Sequence, residues 1–168
     1  IIFGVPGDGD DIGRCMVADV DPETPGCEVW ASGTTLDGKL YSCRGELLSK
    51  KAPVYKFAGS WTFNMGIWWN GTLNRQMLDR GYVTEYIADN GGSGNRIFLK
   101  EDYGVTTGQG TKNNPVFYGD FWGDWREEMI YVTPDYTELR IFTTNIETKY
   151  RFRPLMYDHV YRLSATHE

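Results

Sequence analysis

Short apolar and aromatic runs recur along the chain between clusters of Gly, Asp, Asn and Pro, and amphipathic helical spacing is hard to find anywhere. Three units can be read from these runs. The first passes from a Gly-Asp-Gly-Asp-Asp stretch through 27–32, turns at Leu36-Asp37-Gly38, returns as 39–43, turns at Arg44-Gly45 and ends on Leu47-Leu48. The second holds strands predicted at 64–69, 73–78, 83–87 and 96–99, with Asn70-Gly71 as a hairpin turn and a loop rich in Gly, Ser and Asn at 88–95. The third has strands at 115–118, 128–132, 139–143 and 148–152, a turn at Pro134-Asp135-Tyr136, and a further strand-like run at 156–163.

Four short strands per unit of roughly 40–60 residues, repeated, predict an all-β fold made of β-propeller blades, this chain covering roughly three of them. A sandwich would use the same strands, but it gives no reason for an acidic loop to recur before an aromatic strand. Propellers close with at least about four blades, so residues 1–168 read as a portion of one propeller domain with no internal boundary.

The recurring loops are Asp19-Val-Asp-Pro-Glu-Thr-Pro-Gly-Cys-Glu-Val-Trp30 and Asp120-Phe-Trp-Gly-Asp-Trp-Arg-Glu-Glu-Met-Ile-Tyr131. A hard dication takes roughly six to eight oxygens. Asp19, Asp21 and Glu28 with the Thr24 carbonyl, and Asp120, Asp124 and Glu128 with the Trp122 carbonyl, are the expected Ca2+ ligands. The spacing is not that of an EF-hand, and a lone acidic turn is an ordinary solvated loop; repetition in one order favours a shared structural unit. Asp8, Asp10 and Asp11 form a third acidic cluster, readable as another cation site, a cleft wall or solvated loop.

Composition narrows the partners. A net charge of −6 argues against nucleic acid or an anionic membrane surface, which require clustered cations. Aromatic residues at 15 % and 20 glycines favour twisted, turn-rich β structure. No apolar run is long enough to cross a membrane as a helix. Cys15, Cys27 and Cys43 are odd in number and lack Cys-x-x-Cys spacing, so they read as small buried fillers. The start, Ile-Ile-Phe-Gly-Val-Pro, lacks an initiator Met and a basic leader, so the expectation is that the polypeptide begins upstream. Asn70-Gly71-Thr72 is formally a glycosylation sequon, but reads first as a turn.

Several segments, in order, resemble one family. Gly7–Asp21 (Gly-Asp-Gly-Asp-Asp-Ile-Gly-Arg-Cys-Met-Val-Ala-Asp-Val-Asp), Glu28-Val-Trp30, Ile67-Trp-Trp69, Gly110-Thr-Lys112, Gly123-Asp-Trp-Arg-Glu-Glu128, Leu139–Thr144 and Leu155–Leu163 resemble the C-terminal part of the rhamnogalacturonan lyases of polysaccharide lyase family 11. The resemblance implies an eight-bladed, calcium-bearing propeller whose cleft takes the rhamnogalacturonan-I backbone. It also implies a protein that is secreted, periplasmic or on the cell surface, working as a monomer, with the 168-residue segment inactive alone. The reaction implied is β-elimination between rhamnose and galacturonate, leaving a 4,5-unsaturated uronate.

Such an elimination needs a cation at the uronate carboxylate, a base for the C5 proton and an acid for the departing O4. Arg14, in Ile-Gly-Arg, and Lys112, in Gly-Thr-Lys, match family positions in the cleft and are the catalytic candidates. Arg14 would grip a carboxylate, and Lys112 would act as base if its surroundings lower its pKa. Gln109, Gly110 and Thr111 would bind sugar, although the family has Asn where this chain has Gln109. A family tyrosine in a Tyr-Asn-Gln-Pro-like run has no counterpart here.

His159 reads as structural within a strand-like run, and Trp68, Trp69, Trp122 and Trp125 read as core rather than sugar platforms. The competing class is a calcium-stabilised propeller that binds carbohydrate or protein without catalysis. The pairing of Arg14 with Lys112 favours the enzyme.

Overall fold

The computed structural model describes residues 4, 12–33, 39–50, 63–88, 94–108, 110 and 113–166. Each predicted unit forms its own antiparallel sheet. The first is β1 (Ile12–Ala18), β2 (Glu28–Gly33), β3 (Lys39–Ser42) and β4 (Leu47–Ser49), paired in that order. The second is β5 (Met65–Ile67), β6 (Gln76–Asp79), β7 (Tyr82–Thr84) and β8 (Arg96–Leu99), again in chain order. The third has three strands, β9 (Phe117–Gly119), β10 (Glu128–Val132) and β11 (Leu139–Phe142), and is followed by a helix, α1 (His159–Thr166).

The first two strands of the middle sheet, β5 and β6, are buried on both faces, with the polar Gln76 and Asp79 buried at the ends of β6. On β6, Met77 packs with Met16, Ala18, Val20, Trp30, Leu40 and Phe63 of the first core cluster. Its neighbour Leu78 packs on the opposite side with Met65, Ile67, Val83, Phe98, Met129 and Tyr131. Successive strand residues point to opposite faces, so this one strand couples both cores. A hydrogen bond of 2.7 Å from Trp30 Nε1 to the Phe63 carbonyl satisfies the indole inside the first cluster.

The outer sheets bury one face each. On β1, Arg14, Met16 and Ala18 are buried while Val17 is 67 % exposed; on β11, Leu139 and Ile141 are 66 % and 47 % exposed. Apolar side chains thus stand in solvent at both ends of the stack.

Five expectations need correction. Residues 156–163 do not form a strand: Asp158 accepts the Tyr161 amide at 2.8 Å and opens α1, so its capping outweighs the β-prone Val160 and Tyr161. His159 is therefore an exposed first-turn residue, not a strand interior. No strand forms at 148–152. Asn70-Gly71 is not a two-residue hairpin turn, because eight residues, 68–75, join β5 to β6. The cysteines are not core fillers: Cys15 is exposed, and Cys27 and Cys43 are half-buried.

Candidate functional site

The connection between the first two strands of each sheet is built on one plan. In the first loop, one carboxylate oxygen of Glu28, at the start of β2, accepts the amides of Val20 and Asp21 at 2.8 and 2.9 Å. In the third, Glu128 at the start of β10 accepts those of Phe121 and Trp122 at 3.1 and 3.0 Å. In the second, the acceptor is neutral: Gln76 Oε1, at the start of β6, takes the amides of Trp69 and Asn70 at 2.7 and 2.8 Å. Aligned without gaps, Trp68–Gln76 and Asp120–Glu128 place Gly71 and Gly123 together, both left-handed at φ 79° and 81°. Glycine tolerates that conformation without strain.

Neighbouring loops are also linked in one way. The Arg75 amide donates to the Asp19 carbonyl at 2.7 Å, and the Glu127 amide donates to the Trp68 carbonyl at 2.9 Å. Asn74 Nδ2 reaches Asp19 Oδ1 at 2.5 Å, while Glu127 Oε2 accepts the Trp68 amide at 2.8 Å. Three polar side chains that the acidic-loop pattern passed over therefore organise the region: Gln76 and Glu127 as acceptors and Asn74 as a donor. Aligning the middle loop with its acidic neighbour would have found the first.

The six loop carboxylates are not gathered into one cluster; among the described residues no three His, Cys, Asp or Glu side chains meet as a metal site. In the third unit, fully buried Asp120 takes the Gly123 amide at 2.8 Å on one oxygen and the Leu155 amide at 2.6 Å on the other. Asp124 accepts the Arg126 amide and pairs with its guanidinium. Tyr161 of α1 donates to Glu127 at 2.6 Å and accepts the Asp120 amide at 3.0 Å, which docks the helix on the loop. Trp122 is 59 % exposed, Trp68 is half-buried, and Trp69 and Trp125 are core.

The first loop differs in one respect. Asp21 accepts from the Glu23 amide and the Thr24 hydroxyl, yet Glu28, fully buried, has one oxygen, Oε1, with no hydrogen-bond partner. Burial pushes the Glu28 carboxyl up, opposed by its two amide donors and reinforced by Asp19 and Asp21. Burial likewise raises Glu128 and Glu127. An acceptor oxygen buried without a donor, beside two further carboxylates, suits a cation better than it suits an apolar wall.

Arg14 lies on β1 at 7 % exposure. Its Nη1 pairs with Asp79, fully buried at the end of β6, and lies 3.4 Å from Asn64 Oδ1, so the first and second sheets are joined through this pair. Burial pushes the Asp79 carboxyl up to about 6 against the pull of the guanidinium. Gly110 is exposed with open space around its α-carbon. Gln109, Thr111 and Lys112, like Asp8, Asp10 and Asp11, lie outside the described residues.

Comparison with known proteins gives a consistent result. The family described as "Rhamnogalacturonan lyase family 11, C-terminal domain" matches residues 1–168. The chain is 41 % identical over 163 residues to rhamnogalacturonan endolyase YesW of Bacillus subtilis and 38 % identical over 175 residues to the exolyase YesX of the same organism. Each match covers 97 % of this chain but only 24 % and 27 % of those relatives, so the chain spans about a quarter of their length. The crystal structure of rhamnogalacturonan lyase YesW superimposes with a TM-score of 0.82 at 40 % identity, over 98 % of this chain and 25 % of that one. No helix among the described residues is long and apolar enough to cross a membrane.

Proposed function

Because the chain belongs to the C-terminal domain of the family 11 rhamnogalacturonan lyases, we propose that it forms part of an enzyme cleaving the rhamnose–galacturonate bond of rhamnogalacturonan-I by β-elimination. The match over all 168 residues carries this reading. The three sheets then serve as blades of one larger propeller, and the exposed Val17, Leu139 and Ile141 suit faces that meet further blades. A polymer of the plant cell wall places the enzyme outside the cell or at its surface, where we take it to act as a monomer.

In this mechanism Arg14 supplies positive charge to the uronate carboxylate, making the C5 proton more acidic, and Asp79 holds the guanidinium in position. Lys112 removes the C5 proton as its neutral amine. Electrons of the C5–H bond form the C4–C5 double bond, the C4–O4 bond breaks, and O4 leaves with a proton on rhamnose. Gln109, Gly110 and Thr111 contact the sugar hydroxyls. The enzyme containing this chain, given rhamnogalacturonan-I, is expected to release products that absorb in the ultraviolet as the unsaturated uronate forms. A polymer of galacturonate alone should yield none, and equal release from both polymers would overturn the assignment of substrate.

The middle loop supports calcium at the first. Gln76 shows that a neutral side chain suffices to hold two loop amides, whereas a buried carboxylate costs more to desolvate. A charge at Glu28 is thus more than loop folding needs; Asp19, Asp21 and Glu28, which do not already meet as a metal site, would draw together with the Thr24 carbonyl around the ion. Bound Ca2+ would stabilise the loop; the elimination steps assigned above do not pass through it. At 100 times its dissociation constant, a ligand specific to the native state adds about 2.7 kcal/mol. Adding calcium should therefore raise the melting temperature of the chelated protein. In Glu28→Gln that gain should disappear, with the chelated variant melting close to the chelated parent. A calcium gain of full size in Glu28→Gln would remove the first loop as the site.

A further inference from the structure

We propose that Cys27 and Cys43 are a paired modification site that closes into a disulfide across the base of the first acidic loop by exchange with a small external disulfide. The register of β2 with β3 runs Ala31 to Lys39, Trp30 to Leu40, Val29 to Tyr41 and Glu28 to Ser42. Cys27 and Cys43 are the residues immediately beyond that last pair, Cys27 just ahead of β2 and Cys43 opening the turn after β3. The last opposed pair of an antiparallel ladder has α-carbons roughly 4.5–5.5 Å apart, so its flanking residues start close to the roughly 4.4–6.8 Å that a disulfide spans.

A second observation places the sulfur. Cys43 Sγ lies 3.0 Å from the point that a β-carbon on Gly26 would occupy, so it rests against the residue that precedes Cys27. Gly26, left-handed at φ 96°, leaves that space open. Both thiols are half-buried. Cys15 is excluded as a partner for Cys27: it sits opposite Ala31 on the other side of β2, four residues further along, which is about 13 Å of strand.

The chemistry is thiol–disulfide exchange. One cysteine thiolate attacks a sulfur of the external disulfide, expelling one reagent thiol and leaving a mixed disulfide. The second thiolate attacks the protein sulfur of that intermediate and expels the other reagent thiol. Two protein thiols lose two hydrogens, and the reagent is reduced to two thiols. The bond would tie the strand that begins with Glu28 to the turn after β3, and so restrain opening of the loop whose amides Glu28 holds.

The test is oxidation of the folded protein with excess oxidised glutathione, an acid quench, blocking of free thiols and unreduced peptide mapping. Cys27 and Cys43 should appear in one linked peptide, lighter by two hydrogens, while exposed Cys15 carries glutathione and marks the reaction as complete. Oxidation should raise the melting temperature by roughly 5–10 °C. In Cys43→Ser the linked peptide and the rise should vanish, with Cys27 recovered as its glutathione adduct and the reduced melting temperature close to that of the parent. Recovery of Cys27 and Cys43 as free thiols or stable mixed disulfides, in protein whose Cys15 has reacted, would overturn the proposal. A link from Cys15 to either would do the same.

Discussion

Asp79→Ala should lower folding stability by about 3–5 kcal/mol at neutral pH, because it strands the buried Arg14 guanidinium without its carboxylate. For a chain of this length that corresponds to a fall in melting temperature of roughly 6–20 °C. The pair joins β1 of the first sheet to β6 of the second, so the loss should be read across both core clusters. Replacing both partners at once, as Arg14→Met with Asp79→Leu, should recover most of the stability, since an apolar pair of similar volume often matches a buried ion pair. The double variant should nevertheless be catalytically dead, which separates Arg14's charge from its part in folding. A double variant as unstable as Asp79→Ala would show that packing, not an unpaired charge, sets the cost.

The Asp79 carboxyl also gives a pH signature. Its value is raised in the fold from 3.8 to about 6, so the native state holds its proton more firmly than the unfolded chain does. The stability that comes from this tighter proton binding is therefore fully present below pH 3.8 and is lost as pH rises through about 6, separately from the ion-pair role at neutral pH. Denaturant titrations of the parent and of Asp79→Asn should differ in slope within that window and run parallel above it.

Lys112→Ala, in the enzyme that contains this chain, should reduce kcat by about 100- to 10,000-fold with little change in melting temperature, the range expected when a positioned general base is removed. Lys112→Arg should be nearly as inactive, because guanidinium stays protonated and cannot accept the C5 proton. A merely electrostatic role for Lys112 would instead leave Lys112→Arg substantially active.

Much of the scaffold was legible because strand patterning is local. The runs read at 27–32, 39–43 and 139–143 carry β-prone residues, Val29 and Trp30, Tyr41, and Ile141 and Phe142, and they overlap β2, β3 and β11. The acidic loops were legible in position but only partly in chemistry. Spacing places Asp120 and Asp124 within reach of one ion, whereas folding turns their oxygens to the amides of Gly123, Leu155 and Arg126. The middle loop escaped because its equivalence to the others lies in backbone geometry, Gly71 matching Gly123 and Gln76 matching Glu128, and not in charge. The Arg14–Asp79 pair spans 65 residues, and sequence spacing carries no information about a contact of that separation. At α1, one capping aspartate outweighed a run that looked like strand.

The proposed function requires the bond to be broken by elimination rather than by water. Digestion of rhamnogalacturonan-I in heavy-oxygen water, followed by mass spectrometry of the oligosaccharides, tests it directly. Elimination predicts products with an unsaturated galacturonate at the new non-reducing end, lighter by one water than hydrolysis products, and with no heavy oxygen incorporated during cleavage. Saturated products carrying heavy oxygen from the solvent would contradict the account.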